Sequence, residues 1–155
     1  MHPYVIPLKE LFEQNAHPAL AGPMVAYMRN QFAYLGIKTP QSAILQKQYY
    51  AEHGLPALAE LDPILRDLWA LPQREFQYVA VGLIGILAKK LPPEFTETLE
   101  FLIVTKSWWD TIDSIAAGTV AIHFQRYPNV FAPKPSPAGA HLKTSGCGGH
   151  ASCSN

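Results

Sequence analysis

The sequence lacks several features that define particular classes of protein. None of its apolar runs comes close to the roughly eighteen residues that a membrane-spanning helix needs. The N-terminus has no basic segment followed by a long apolar one, so no secretory signal is visible. The formal net charge is zero, which gives no support to a generally basic nucleic-acid binder. We therefore expect an intracellular, cytoplasmic protein.

Cysteine is also scarce, and its placement excludes a disulfide-stapled fold. Cys147 and Cys153 are the only two, and they lie together near the C-terminus. With His141 and His150 they could in principle hold zinc, but their spacing matches none of the usual zinc-binding pairs. We predict no metal site.

The composition changes at about residue 131. The 155-residue chain is 48% hydrophobic and 11% aromatic, enough for one globular domain with a core. Residues 132–155 contain three prolines, four glycines and no aromatic residue, and we expect them to be disordered. The domain 1–131 carries ten basic and twelve acidic residues, so its charge is slightly negative.

Helical periodicity runs through residues 1–131, and prolines and glycines separate the segments. No segment alternates with a period of two for long enough to indicate a strand. The short connections indicate antiparallel neighbours, in either a compact bundle or a stack of helical hairpins. The predicted helices are Pro18–Tyr34, Thr39–His53, Pro56–Leu71, Arg74–Leu91, Glu94–Val104 and Ser107–Tyr127.

The stretch T-K-S-W-W-D-T-I-D-S-I, residues 105–115, contains two functional-looking residue pairs. Ser107 and Asp110 have the spacing of a capping box at the start of a helix. Asp113 follows Trp109 by four residues, which places the two on one face of that helix. From the pattern alone, a solvated structural role for Asp113 is favoured over a catalytic one. The remaining apolar positions form a predicted core stripe of Trp108, Ile112, Ile115, Thr119 and Ile122.

Three longer motifs resemble one protein family. They are M-x-x-Y-M-R-N-Q-F-x-Y-L-G-I-K-T-P-Q at 24–41, L-R-D-L-W-A-L-P-Q-R-E-F-Q-Y-V-A at 65–80 and L-E-F-L-I-V-T-K-S-W-W-D-T-I-D-S-I at 99–115. In this order they resemble the AlkD family of DNA alkylation repair proteins, which are N-glycosylases built from HEAT-like helical repeats. The resemblance covers roughly residues 1–131. It implies an all-α solenoid of antiparallel helical hairpins, truncated relative to the family.

The resemblance also implies a reaction and its residues. The family hydrolyses the glycosidic bond of purines that alkylation at N3 or N7 has made cationic, with a carboxylate beside the positive charge that develops on the sugar. Its catalytic aspartate corresponds to Asp113, and aromatic residues near the DNA correspond to Trp109 and Tyr27. Double-stranded DNA with alkylated purines is the implied partner, and no cofactor is implied. Arg29 and Lys106 are candidate phosphate contacts.

The family pattern stops after Y-P-N-V-F at 127–131, although family members continue through further repeats. Residues 132–155 could be a natural tail, a frameshift or the end of a fragment. Because each repeat buries its apolar side against the next, the last helix should be left exposed, and we predict a homodimer through 110–131. A non-catalytic helical-repeat module that binds DNA or protein is the alternative function.

Overall fold

A computed structural model describes the backbone of residues 1–131 and the side chains of residues 1–129. This part of the chain is all-helical and contains no strand, which confirms the predicted fold class. Three short 3-10 turns and a π-helical segment, Ile115–Val120, complete the regular structure. The α-helices are α1 Val5–Gln14, α2 Pro18–Tyr27, α3 Thr39–His53, α4 Leu58–Ala70, α5 Arg74–Leu87, α6 Thr96–Val104, α7 Trp109–Ser114 and α8 Ala121–Arg126.

Helix α5 is the centre of the hydrophobic core. It contacts α3, α4, α7 and the π-helical segment, and it buries Phe76, Val79 and Leu83 completely or nearly so. Helix α4, which packs against α5, adds Leu65 and Trp69 to the same core. None of the helices in residues 1–131 has the length and hydropathy of a membrane span.

Helix α1 is absent from the sequence-based prediction. Its buried side chains, Val5, Leu8 and Phe12, are spaced by three and four residues, which is the signature of one apolar helical face. The helix packs this face against α3 and α4. The helical spacing that indicates α1 was therefore present in the sequence, although the prediction did not include this helix.

Helix α2 is shorter than predicted, because it ends at Tyr27 and not at Tyr34. Arg29 and Asn30, just beyond its end, have left-handed backbone conformations with φ of 53° and 58°. This conformation breaks the helix, and residues 31–38 continue as an irregular segment that crosses to α5.

A buried carboxylate on α5 holds that irregular segment in place. Glu75 Oε1 accepts backbone N–H bonds from Leu35, Gly36 and Ile37 at 2.9, 3.0 and 3.3 Å. The carbonyl oxygen of Leu35 in turn accepts the N–H of His17 at 2.8 Å. These bonds replace the helical ones that continuation of α2 would have made.

The last predicted helix is interrupted, and its buried face differs from the prediction. The structure buries Thr111, Ile115, Thr119 and His123, which follow one another at intervals of four. The π-helical segment has i to i+5 hydrogen bonds and therefore more residues per turn than an α-helix. For this reason the core face passes to His123, whereas the α-helical spacing had predicted Ile122.

Candidate functional site

Two large aromatic side chains lie together on the surface where α2 ends and α7 begins. Tyr27 is the last residue of α2 and Trp109 the first of α7. Their side chains are 74% and 54% exposed, and their ring centroids are 6.3 Å apart at an interplanar angle of 75°. Exposed aromatic pairs of this kind are typical of binding surfaces and not of a core.

This aromatic pair borders an open depression of about 330 Å³. Tyr34, Tyr78 and Asp110 form its polar wall, and α2 forms its apolar wall with Met24 and Pro23. A second depression, of about 370 Å³, lies beside it, and Asp110 and Tyr78 line both. The surface near the aromatic pair is thus concave.

Asp113 lies one turn beyond Trp109 on α7, and it is exposed. Residues four apart on a helix are neighbours on one face, so the carboxylate and the indole point to the same side of α7. Of the predicted site residues Tyr27, Trp109 and Asp113, the two aromatic ones border the depression, and Asp113 lines neither of the two depressions. Of the three, Tyr27 and Trp109 are in direct ring contact.

Asp110 is the centre of a buried polar network that anchors α7 to α5. Its Oδ1 lies 2.6 Å from Nη2 of Arg74, and its Oδ2 accepts a bond of 3.2 Å from Nε of the same residue. Arg74 has no exposed surface, and it also donates to the Lys106 carbonyl oxygen at 3.1 Å and to the Thr111 hydroxyl at 3.0 Å. One guanidinium therefore holds the turn before α7 and the first turn of the helix itself.

The network continues through two tyrosines towards the segment that follows α2. The Tyr78 hydroxyl donates to Asp110 Oδ2 at 2.6 Å and lies 2.9 Å from the hydroxyl of Tyr34. Because the Tyr78 proton goes to the carboxylate, Tyr34 is the donor in that second bond. We refer to Arg74, Asp110, Tyr78 and Tyr34 together as the Asp110 network.

The Asp110 network changes the acidity of its members. Burial alone would raise the pKa of the Asp110 carboxyl, but the hydrogen bonds from Arg74 and Tyr78 outweigh it, so the pKa lies below its ordinary value. Burial and the bond to the Asp110 carboxylate both raise the pKa of Tyr78. Asp110 is therefore ionised and Tyr78 neutral at physiological pH.

The two candidate phosphate contacts have different surroundings. Arg29 is exposed, two residues after Tyr27. The Lys106 Nζ donates to the Leu71 carbonyl oxygen at 2.8 Å, and burial together with Arg74 lowers its pKa. One of the three Lys106 donors therefore has a structural role, and Arg29 is the better placed of the two to meet a phosphate.

The predicted capping box of Ser107 and Asp110 is wrong. Trp108 is the residue that precedes α7, and no side chain caps that end of the helix. The Ser107 hydroxyl instead donates to the carbonyl oxygen of Ile103 at 2.7 Å, at the end of the preceding helix. The ion pair with Arg74 directs the Asp110 carboxylate towards α5, although Oδ1 also accepts the N–H of Thr111 at 2.8 Å.

Trp108 is only partly buried, in contrast to its predicted place in the core stripe. Its ring meets the edge of Phe32 at 6.3 Å, and the Arg74 guanidinium lies 3.8 Å from the centroid of the same Phe32 ring. The tryptophan therefore packs beside the Asp110 network and not in the centre of the core.

The sequence interpretation assigned no role to Arg74, Tyr78 or Tyr34. A faint signal was available at the neighbouring position, because Glu75 precedes Val79 by four residues and so falls on the apolar face of α5. A charge at such a position indicates a buried partner. Local spacing does not reveal which residue is the partner, because the contacts join residues more than thirty positions apart in the sequence.

Comparison with known proteins gives the family. The family model described as "DNA alkylation repair enzyme" matches residues 8–134, a range that includes all three quoted motifs and the aromatic pair. The chain belongs to this family. The resemblance found in the sequence is thereby confirmed.

One solved structure supports the same conclusion for the DNA alkylation repair family. It is described as "Predicted DNA alkylation repair enzyme from Enterococcus faecalis", and it has 27% sequence identity to this chain and a TM-score of 0.63. The match covers 77% of the present chain and 59% of the solved structure's chain. The present chain therefore spans less than two thirds of the length of that relative. No curated protein sequence is significantly similar to the chain.

Proposed function

We propose that the chain is a DNA glycosylase that removes cationic purines alkylated at N3 or N7 from double-stranded DNA. The observation that supports this most strongly is the exposed Tyr27–Trp109 pair with Asp113 one turn further along α7. Membership of the DNA alkylation repair family supports DNA as the substrate.

In the proposed reaction the bond between the purine nitrogen and C1′ of the deoxyribose breaks, and its electron pair neutralises the cationic base. Positive charge then develops on the sugar, where the Asp113 carboxylate stabilises it. Water attacks C1′, and its proton passes to the carboxylate and then to solvent. The products are an abasic site and a neutral free base.

This chemistry determines which kinds of damaged base the protein can release. A single carboxylate assists departure of a base that already carries positive charge, but it provides no acid to activate a neutral one. We therefore expect 7-methylguanine and 3-methyladenine to be released and uracil to be retained.

The aromatic pair and Arg29 form the proposed DNA contact. The faces of Tyr27 and Trp109 attract a cationic base or the electron-poor edge of the sugar. Arg29, exposed near Tyr27, provides a cation for a phosphate, and Lys106 provides a weaker one because one of its donors is engaged.

The experiment is release of 7-methylguanine from methylated duplex DNA by the purified protein. Asp113→Asn preserves the shape of the side chain and removes its charge, so most of the rate should disappear. Glu97→Gln, which neutralises an exposed carboxylate on α6, is the matched control and should have the wild-type rate. Equal rates for wild type and Asp113→Asn would remove Asp113 from this role.

The same assay separates the two candidate functions. If the wild type releases no base yet binds duplex DNA in a Trp109-dependent way, the non-catalytic binding module is the better account. Binding is measured by fluorescence anisotropy of labelled duplexes, with Trp109→Ala as the test variant. Trp69→Phe is unsuitable as a control, because Trp69 is fully buried and its Nε1 donates to the Thr105 carbonyl oxygen.

Self-association is a separate part of the proposal. The surface proposed for it overlaps only in part with the predicted residues 110–131. Ile115 and Thr119, which lie within the predicted dimer surface 110–131, are buried in the core stripe. Among the described residues, an apolar groove of about 290 Å³ lies between α6 and residues 120–124, with Leu99, Ile103 and Val120 in its walls. We propose that a second copy of the chain covers this groove in a two-fold dimer.

A further inference from the structure

Two separate segments of the chain bear the halves of the aromatic pair, and both are tied to the start of α5. On one side, Arg74 binds the turn before α7 and the Asp110 carboxylate, as described above. On the other side, the backbone N–H of Arg74 donates to the carbonyl oxygen of Ala33 at 2.8 Å, in the segment that follows α2.

Side-chain contacts strengthen both ties. Phe32, in the segment after α2, stacks against the Arg74 guanidinium, and Tyr34 in the same segment reaches Asp110 through Tyr78. The network therefore connects the segment after Tyr27 to the helix that begins with Trp109. No other hydrogen-bonded chain of side chains among the described residues joins these two segments.

We infer that the Asp110 network is a positioning device that fixes Trp109 and Asp113 relative to Tyr27. This inference rests on the proposed glycosylase function, but it assigns residues beyond those that touch DNA. Arg74 has no exposed surface, so it does not contact a duplex. The Asp110 side chain is 9% exposed at the wall of the depression, but Arg74 and Tyr78 already engage both of its oxygens. They act through the orientation of α7.

Displacement of a catalytic group destabilises the transition state more than it weakens substrate binding. A displacement of the order of 1 Å in a catalytic group can reduce a rate by about a hundredfold, because the developing charge must be met at the right place. Loose binding of the substrate by the aromatic pair tolerates such a shift better. Loss of network bonds should therefore lower kcat more than it raises KM.

Tyr78→Phe is the most conservative test, because it removes one hydroxyl and retains the ring. It breaks the bonds to Asp110 and Tyr34 and leaves the Arg74–Asp110 ion pair, so the variant should fold. The matched control is Tyr50→Phe: the buried Tyr50 hydroxyl has no hydrogen-bond partner among the described residues, so its removal breaks no bond.

The first measurement does not depend on activity. The protein is labelled with 5-fluorotryptophan, and Trp109→Phe identifies the Trp109 signal in the fluorine NMR spectrum. We expect Tyr78→Phe to shift or broaden the Trp109 signal and Tyr50→Phe to leave it unchanged. An unchanged Trp109 signal in Tyr78→Phe would overturn the inference, whether or not the wild type is active.

The second measurement is steady-state release of 7-methylguanine by the same proteins. We expect kcat to fall by about tenfold in Tyr78→Phe, with KM within about twofold of the wild-type value. A kcat equal to that of the wild type, despite a shifted Trp109 signal, would also overturn the inference. A wild type without activity would refute the glycosylase proposal alone, because the fluorine spectrum still decides whether the network holds Trp109.

Discussion

A Cβ atom on Gly36 would lie 2.0 Å from the carbonyl oxygen of His17 and 2.9 Å from the backbone nitrogen of Ala21. The backbone at Gly36 also has a φ of 89°, a conformation that other residues rarely adopt. Backbone atoms cannot move aside as a flexible side chain can. In the same turn, Glu75 accepts the three consecutive N–H groups from Leu35 to Ile37.

Gly36→Ala should therefore destabilise the protein by at least about 3 kcal/mol, measured by urea unfolding. The control is Gly85→Ala on α5, where an added Cβ meets no atom within 4 Å. That substitution should stabilise the protein by about 0.5–1 kcal/mol, because alanine is the better helix former. Equal effects at the two positions would contradict the close packing at Gly36.

Asp110→Asn should cost about 3–5 kcal/mol in the free energy of unfolding, because it leaves the buried Arg74 guanidinium without its counter-charge. A simple helix cap would be worth only about 1 kcal/mol, so chemical denaturation separates the two roles. A loss near the smaller value would indicate that solvent screens the Arg74 charge.

Asp62→Asn provides the matched comparison for Asp110→Asn. Asp62 forms an ion pair with Arg66 in which both side chains are more than 40% exposed. Exposed pairs are worth about 0–1 kcal/mol, and the amide oxygen can still accept the bond from Thr98. We expect a loss of no more than about 1 kcal/mol for this variant.

Stability should fall on mild acidification because of His123. Burial and the nearby Arg126 lower its pKa, while the polar carbonyl group of Pro93 nearby partly opposes them. The unfolded state then takes up a proton more readily than the folded state, so protonation below about pH 6.5 favours unfolding. The free energy of unfolding should decrease from about pH 7.5 to about pH 5.5.

His123→Gln should reduce that pH dependence, since glutamine does not titrate and can still donate to the Thr96 hydroxyl that lies 2.8 Å from Nε2. His17→Gln, the same substitution at an exposed position, is the matched control. The prediction fails if wild type and His123→Gln lose stability equally between these pH values.

The groove between α6 and residues 120–124 leads to a prediction about oligomeric state. Ile103 lies in its wall and is partly exposed, so Ile103→Glu should prevent a second copy from covering it. Sedimentation equilibrium over a range of concentrations should show a dimer for the wild type and a monomer for the variant. Glu97→Gln, on the same helix, is the control and should remain dimeric; a monomeric wild type would exclude this interface.

The parts of the fold that follow from local pattern were predictable. The helix Thr39–His53 was predicted with the bounds that the structure has, because Pro40 occupies its first turn and Gly54, with φ of 72°, follows its end. The start of α5 at Arg74 was predicted equally well, from the proline two residues before it.

The parts that depend on distant residues were not predictable in this way. The end of α2 at Tyr27 is set by partners on α5, and the turn before α7 is set by Arg74, more than thirty residues earlier. In the candidate site, the exposed residues Tyr27, Trp109 and Asp113 were identified through family resemblance. The Asp110 network beneath them comes from tertiary contacts, and periodicity indicated Asp110 only as a helix cap.

The π-helical segment has a consequence for how this sequence should be compared with its relatives. The segment holds one residue more than an α-helix would over the same length, so removing one residue between Ile115 and Val120 would restore an ordinary helix and leave Ala121–Arg126 on their present faces. His123 would remain in the interior, whereas an α-helix that kept all six residues would rotate Ala121–Arg126 by about 100° and bring Ile122 there instead. A single-residue gap in this segment of an alignment would therefore mark relatives that keep the same internal chemistry without the π-helical turn.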